Sequence, residues 1–260
     1  MGEQGGQTAV LLTSLEIRPY LRKLTELELG RVPVLELDAP TPAWADRPAA
    51  DPERGALATG HLAYMTYTSG STGRPKGVVN SHRGVLNRVA WMQERHGLGA
   101  GEGMLQNSSF SFDASVFEIF WPLTAGARVI LPKPEGHRDV DYFVQLIAGE
   151  GVTTAFFVCS MLQLFLEYPG VERCTAMTRL FCGGEALSPA LAQRVRERMP
   201  QVRLHNLYGP AESSQSVTGR VSEGDEVGVF SVPIGRPVPN VRVYLLDPWG
   251  EPVPPGVAGE

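Results

Sequence analysis

Residues 67–77 read Tyr67-Thr68-Ser69-Gly70-Ser71-Thr72-Gly73-Arg74-Pro75-Lys76-Gly77, and the apolar run Leu62-Ala63-Tyr64-Met65-Thr66 leads straight into them. An apolar run that empties into a glycine- and hydroxyl-rich loop is a strand delivering a loop built to hold phosphates. Gly70, Gly73 and Gly77 open backbone conformations closed to other residues and let N–H groups approach anionic oxygens. Thr68, Ser69, Ser71 and Thr72 add neutral donors, and Lys76 adds a point charge with three donors of its own. The commonest nucleotide loop places its lysine directly after a glycine, whereas Pro75 precedes Lys76 here. No Gly-x-Gly-x-x-Gly occurs in the stretch, so it is not a dinucleotide fingerprint. The plain alternative is a solvated turn.

Outward from this loop, apolar runs at 8–13, 32–37, 128–131, 153–158, 178–182 and 202–207 alternate with helix-like patterns at 14–28, 139–148, 161–168 and 189–199. That alternation predicts an α/β protein with layered, mostly parallel sheets flanked by helices. The Pro/Ala/Asp-rich residues 38–60 lack periodicity and read as a surface connection. From residue 233 the character changes, with prolines at 233, 237, 239, 248, 252, 254 and 255 around the strand-like residues 241–246. The expected division is an α/β core over 1–232 and the start of a β-rich subdomain over 233–260. The final Gly259-Glu260 leads into no element, so the chain reads as cut.

Composition narrows the function classes. With 43% hydrophobic and 20% charged residues in 260, the chain has the makeup of a globular protein with a sizeable core. A net charge of −5 provides no basic field for nucleic acid or an anionic membrane, so polyphosphate binding has to be local. No apolar run approaches the roughly 18 residues of a membrane span, and the amino terminus has no signal-peptide pattern. Cys159, Cys174 and Cys182 are odd in number and lack metal-ligand or framework spacing. A cytoplasmic location is the expectation. His137-Arg138-Asp139 lacks the asparagine that a kinase catalytic loop needs, Val144 standing in its place, and neither a Gly-x-Ser-x-Gly elbow nor a His-Glu-x-x-His helix occurs. His61, His82, His96 and His205 have no ligand spacing among them.

Two further segments carry chemistry. Asn206-Leu207-Tyr208-Gly209-Pro210-Ala211-Glu212 follows a strand and so puts an amide, a ring and a carboxylate at a strand's carboxyl end, where open α/β sheets bind ligands. Its bland reading is a turn and a helix start. Phe110-Ser111-Phe112-Asp113-Ala114-Ser115-Val116-Phe117-Glu118-Ile119-Phe120 sets Asp113 where a helix should begin, so Asp113 is either a plain N-cap or a functional acid.

Taken together, these three segments closely resemble the adenylate-forming enzymes, the family of acyl-CoA synthetases, luciferases and the amino acid adenylation domains of nonribosomal peptide synthetases. The resemblance covers nearly the whole chain, as a central part of the large amino-terminal domain of the adenylate-forming fold. It implies that Thr68, Ser69, Gly70, Ser71, Thr72, Gly73 and Lys76 embrace the ATP phosphates. Tyr208 would stack on adenine, with Gly183, Gly184, Glu185, Asn206 and Gly209 around the nucleotide, and Glu212 would serve magnesium. Lys76 and Glu212 are the implied catalytic pair. Ala211 stands where the family usually has a threonine and removes a hydroxyl from the α-phosphate.

In amino-acid-activating members, the aspartate matching Asp113 pairs with the substrate α-ammonium. A buried carboxylate without a partner is costly, so an acid in an apolar pocket implies a cationic guest. The implied pocket is Asp113, Ala114, Phe117, Phe156, Phe181, Gly183, Leu207, Gln215 and Ser216, which favours an apolar side chain. The implied reaction makes aminoacyl-AMP and pyrophosphate from ATP with Mg²⁺, for transfer to the phosphopantetheine of a carrier domain beside a condensation domain. The family's closing lysine belongs to a small carboxyl-terminal domain outside these residues, so the isolated chain is expected to be inactive. An acyl-CoA ligase and a non-catalytic nucleotide-binding fragment are the alternatives.

Overall fold

The computed structural model describes residues 11–13, 34–36, 55–68, 75–133, 136, 139–214, 216–224 and 229–260. The chain divides into two compact units, Met1–Ala56 and Leu57–Glu260. In the first, β1 (Leu11–Thr13) and β2 (Val34–Glu36) pair in parallel, and the helix expected between them lies outside the described residues.

The second unit opens with β3 (Leu62–Thr68) and β4 (Lys76–Ser81), an antiparallel pair whose open end joins Thr68 to Lys76. The loop residues between them, 69–74, lie outside the described residues. Ser81 then caps α1 (His82–His96) by accepting the Gly84 N–H. There follow β5 (Gly103–Leu105), α2 (Ala114–Ala125), β6 (Arg128–Ile130), α3 (Val140–Gly149), β7 (Thr154–Val158), α4 (Cys159–Glu167), β8 (Arg179–Gly183), α5 (Pro189–Arg198), β9 (Arg203–Tyr208), β10 (Thr218–Val221) and β11 (Arg236–Pro237).

Seven strands form one sheet in the order β11-β10-β9-β8-β7-β5-β6. From β9 to β6 every pairing is parallel, and β10 and β11 extend the sheet antiparallel. The structure is thus the α/β architecture that the alternation predicts. Strand alternation splits the core cleanly, since successive side chains face opposite ways. Ala155, Phe157, Leu180, Cys182 and Leu204 face the cluster built on α3, α4 and α5. Met104, Phe156, Phe181 and Leu207 face the cluster shared with α1 and α2.

The chain leaves β5 for β6 on one side and returns past it to β7 on the other. Such a reversal opens a crevice at the carboxyl ends of the two strands, the place where doubly wound sheets bind ligands. The residues after β5, β7, β8 and β9 therefore share one edge of the molecule.

Residues 241–246, expected as a strand, form no ladder; only Leu246 bridges antiparallel to Pro252, around a turn in which Asp247 accepts the Trp249 and Glu251 N–H groups.

One core feature has a measurable pH consequence. His205 on β9 stacks on Phe181 at 4.9 Å and 26°, and His96 meets both rings edge-on. Burial, reinforced by the mutual proximity of the rings and by Arg95, pushes His96 down to about 3; burial with Arg95 and Arg203 pushes His205 down to about 4. The unfolded chain binds these protons below about pH 6.5 and the folded chain does not. Stability is therefore intact above pH 6.5 and lost as pH falls towards 4, by on the order of 3 kcal/mol for His205 alone. Denaturant melts between pH 7 and 4.5 should show that loss, and a His205→Phe variant should show a shallower one; identical slopes would contradict the assignment.

Candidate active site

A cavity of about 550 Å³ opens at the carboxyl edge of the sheet. Its walls are Asn107, Ser108 and Ser109 after β5, Phe112, Asp113 and Ala114 at the start of α2, Phe156 and Val158 of β7, and Met161 of α4. Gly183, Gly184 and Glu185 after β8, Leu207 and Gly209 at the end of β9, and Ser216 complete it. Of the sequence-expected pocket residues, Asp113, Ala114, Phe156, Gly183, Leu207 and Ser216 line this one space. Phe117 packs edge-on to Phe156 at 5.6 Å, and Phe181 is fully buried in the layer behind, against His205. Gln215 lies outside the described residues.

Asp113 is the informative side chain. Ser81, Asp139 and Ser188 each precede a helix with an extended backbone and accept a first-turn N–H. Asp113 has helical φ and ψ of −62° and −23° and makes no side-chain capping bond. Asp113 is instead one of the residues lining the cavity. Burial raises its pKa, opposed by the Ala114 N–H and by the Arg88 guanidinium. Arg88 is itself buried, its charge lying over the Trp91 ring at 5.3 Å and the Phe117 ring at 5.1 Å, and burial pushes it down to about 9. Asp113 and Arg88 border one small cavity together with Tyr64 and Ser214.

The wall after β5 is held from below by Glu118, a fully buried carboxylate of α2. One of its oxygens accepts the N–H groups of Asn107 at 3.1 Å and Ser108 at 2.9 Å, and the other accepts the Ser108 hydroxyl at 2.8 Å. Burial pushes Glu118 up to about 8 against the pull of these donors. Neither Glu118 nor residues 107–109 were singled out by sequence. The signal that finds them is topological: they follow the strand at which the sheet order reverses.

Gly183 has no room for a side chain. A Cβ there would stand 2.7 Å from the Leu207 carbonyl oxygen and 3.3 Å from the Phe156 ring. Gly184 adopts φ +82°, the left-handed region that favours glycine, and turns the chain out of β8. Glu185 reaches across to the start of α4, where its carboxylate accepts the Ser160 N–H at 2.8 Å and hydroxyl at 3.1 Å. Asn206 is buried, and its amide donates to the carbonyls of Val232 at 3.0 Å and Pro233 at 3.3 Å, so its side chain orders that segment. Tyr208, between the lining residues Leu207 and Gly209, is 51% exposed. Glu212 is exposed on the short 3-10 turn Ala211–Ser213. Thr68 and Lys76 flank the phosphate-loop segment, of which Ser69, Gly70, Ser71, Thr72 and Gly73 lie outside the described residues.

Known proteins are similar to this chain in sequence and fold. The AMP-binding enzyme family matches residues 7–260. Phosphinothricin tripeptide synthetase PhsB of Streptomyces viridochromogenes is 47% identical over 266 residues, taking in 100% of this chain and 22% of that synthetase. The nonribosomal peptide synthetase FmoA3, solved in an AMPPNP-bound form, superposes with a TM-score of 0.78 at 28% identity, over 94% of this chain and 25% of that one. Holo-PA1221, a synthetase protein containing adenylation and PCP domains, superposes with a TM-score of 0.71 at 26% identity, over 87% of this chain and 38% of that one. These 260 residues thus span about a fifth of PhsB. The chain belongs to the AMP-binding enzyme family, as part of an adenylation domain of the nonribosomal peptide synthetase type.

Proposed function

We propose that these residues bind ATP and an amino acid with an apolar side chain, and that the complete domain joins them as aminoacyl-AMP. The observation that carries this reading is Asp113: a carboxylate that lines an apolar cavity and forgoes its cap is suited to an α-ammonium. A fatty or aryl acid has no cation to offer it, which weighs against the acyl-CoA ligase reading. Phe156, Leu207, Ala114 and Gly183 supply apolar walls, and Asn107, Ser108, Ser109 and Ser216 are polar residues among the lining. The PCP domain joined to the adenylation domain in PA1221 supports transfer of the acyl group to the phosphopantetheine thiol of a carrier domain, and the same reading places a condensation domain in the assembly and the whole in the cytoplasm.

In the reaction, a carboxylate oxygen of the amino acid bonds to the α-phosphorus of ATP, and the bond from that phosphorus to the bridging oxygen breaks, releasing pyrophosphate. The chain's contribution is positioning and neutralisation of charge rather than covalent chemistry. Thr68, Ser69, Ser71 and Thr72 would donate to the β- and γ-phosphates, with Lys76 offsetting the leaving charge. Tyr208 would present its ring to adenine beside Gly183, Gly184 and Gly209. Mg²⁺ typically keeps several waters and takes one or two carboxylates plus phosphate oxygens. Glu212, an exposed carboxylate on the Ala211–Ser213 turn whose charge reaches Asp113, fits that mode and would hold the ion. When bound, the ion would add positive charge to the polyphosphate. Residues 233–260 would begin a β-rich subdomain, a reading supported by the reciprocal backbone bonds between Leu246 and Glu260.

The test of the phosphate assignment is Lys76→Ala in a complete adenylation domain carrying these residues. Because Lys76 is exposed, solvent screens part of its charge, and the expected loss in pyrophosphate formation is roughly tenfold. Amino acid binding should be nearly unchanged. Equal losses in both would make the loop merely structural.

A further inference from the structure

The strand that leaves the phosphate loop carries a second polar residue on the face of Lys76. Lys76, Val78 and Asn80 alternate along β4, and Asn80 is only 4% exposed. Its amide group reaches the turn that bears Glu212. Nδ2 donates to the Ala211 carbonyl at 2.9 Å, and Oδ1 accepts the Ser214 hydroxyl at 2.7 Å. Flipping the amide would set two carbonyl oxygens against each other, so the orientation is determined by its partners. The two contacts fall on either side of Glu212.

The surroundings are shaped to this contact. Ser214 lies in the left-handed region, with φ 56° and ψ 41°, where residues other than glycine are uncommon. Position 84 in the first turn of α1 has no side chain, and a Cβ there would meet the Ser214 hydroxyl at 2.5 Å. Tyr64, the cross-strand partner of Asn80, borders the same small cavity as Ser214. None of these residues lines the large cavity.

We infer that Asn80 is a positioning residue that sets the separation between Lys76 and Glu212 by pinning the Ala211–Ser213 turn to the strand behind the phosphate loop. This rests on the reading proposed above. Asn80 lies four residues, or about 13 Å, along the strand from Lys76, so it touches neither nucleotide nor amino acid. Its effect passes through the carboxylate it places, and misplacement on the scale of an ångström is costly in such a site.

The test is amino-acid-dependent ATP–pyrophosphate exchange by a complete domain, with Asn80→Leu and Ser214→Ala. Leucine keeps the volume, adds no charge and removes both bonds, whereas Ser214→Ala leaves the bond to Ala211 in place. Asn80→Leu should raise KM for ATP roughly tenfold and Ser214→Ala about threefold, with KM for the amino acid within about twofold in each. A joint rise of both KM values, or no change in KM for ATP while the unsubstituted domain exchanges normally, would overturn the inference alone. No exchange by the unsubstituted domain with any amino acid would overturn both it and the reading beneath it. Should the leucine variant not fold, an unchanged KM for ATP in Ser214→Ala would still refute it.

Discussion

Asp113→Asn in a complete adenylation domain is expected to lower kcat/KM for the amino acid by about tenfold to a hundredfold. The replacement keeps shape and removes charge, and a hydrogen bond to a charged group contributes roughly 1.5–3 kcal/mol. Asparagine would also present an amide N–H₂ to an ammonium that needs acceptors. The des-amino analogue of the same acid should lose far less, because it never used the carboxylate. That contrast separates the two roles open to an aspartate at a helix start. A cap contributes to folding and would depress both substrates together; the absence of a capping bond at Asp113 argues that the losses will differ.

The second large effect concerns the 260 residues expressed by themselves, which are expected to bind nucleotide weakly and not to turn over. In-line transfer needs two anions, carboxylate and α-phosphate, held together against their repulsion. Lys76, Tyr208 and Glu212 are all exposed here, so the charges aimed at the nucleotide act in a high dielectric and are worth little. Ala211 supplies no hydroxyl to help them. Mass spectrometry of purified chain with ATP and amino acids checks this, and multiple turnovers to aminoacyl-AMP would contradict it.

The elements most legible in the sequence are those whose periodicity is long enough to register. The strands at 154–158, 179–183 and 203–208 and the helices at 140–149 and 189–198 fall within a residue or two of the patterns that announce them. The strand Gly103–Leu105 gives no such signal. It is three residues long and opens on a glycine, where a Cβ would stand 2.5 Å from the end of the Ile130 side chain. Yet the reversal that makes the cavity occurs at this strand, and so no pattern in the sequence marks the wall at 107–109. Residues 241–246 mislead in the opposite sense, since apolar residues among prolines pattern like a strand but find no partner ladder among the described residues.

In the candidate site, motif residues were legible as chemistry, whereas the groups that hold them were not. Nothing in the sequence marks Glu118 or Arg88 for burial, and the fold buries both. Asn80 and Ser214 are two polar residues far apart in sequence, and only the packing of β4 on the turn after β9 brings them together. Asn206 shows how a nearby amide can belong to the scaffold, its donors being directed to Val232 and Pro233.

The most direct test of amino acid activation at this cavity is pyrophosphate exchange into ATP by a complete domain bearing these residues, run across apolar and polar amino acids and matched fatty and aryl acids. The account predicts exchange with one or a few amino acids of apolar side chain and none with acids that lack the α-ammonium. Exchange supported only by fatty or aryl acids would contradict it.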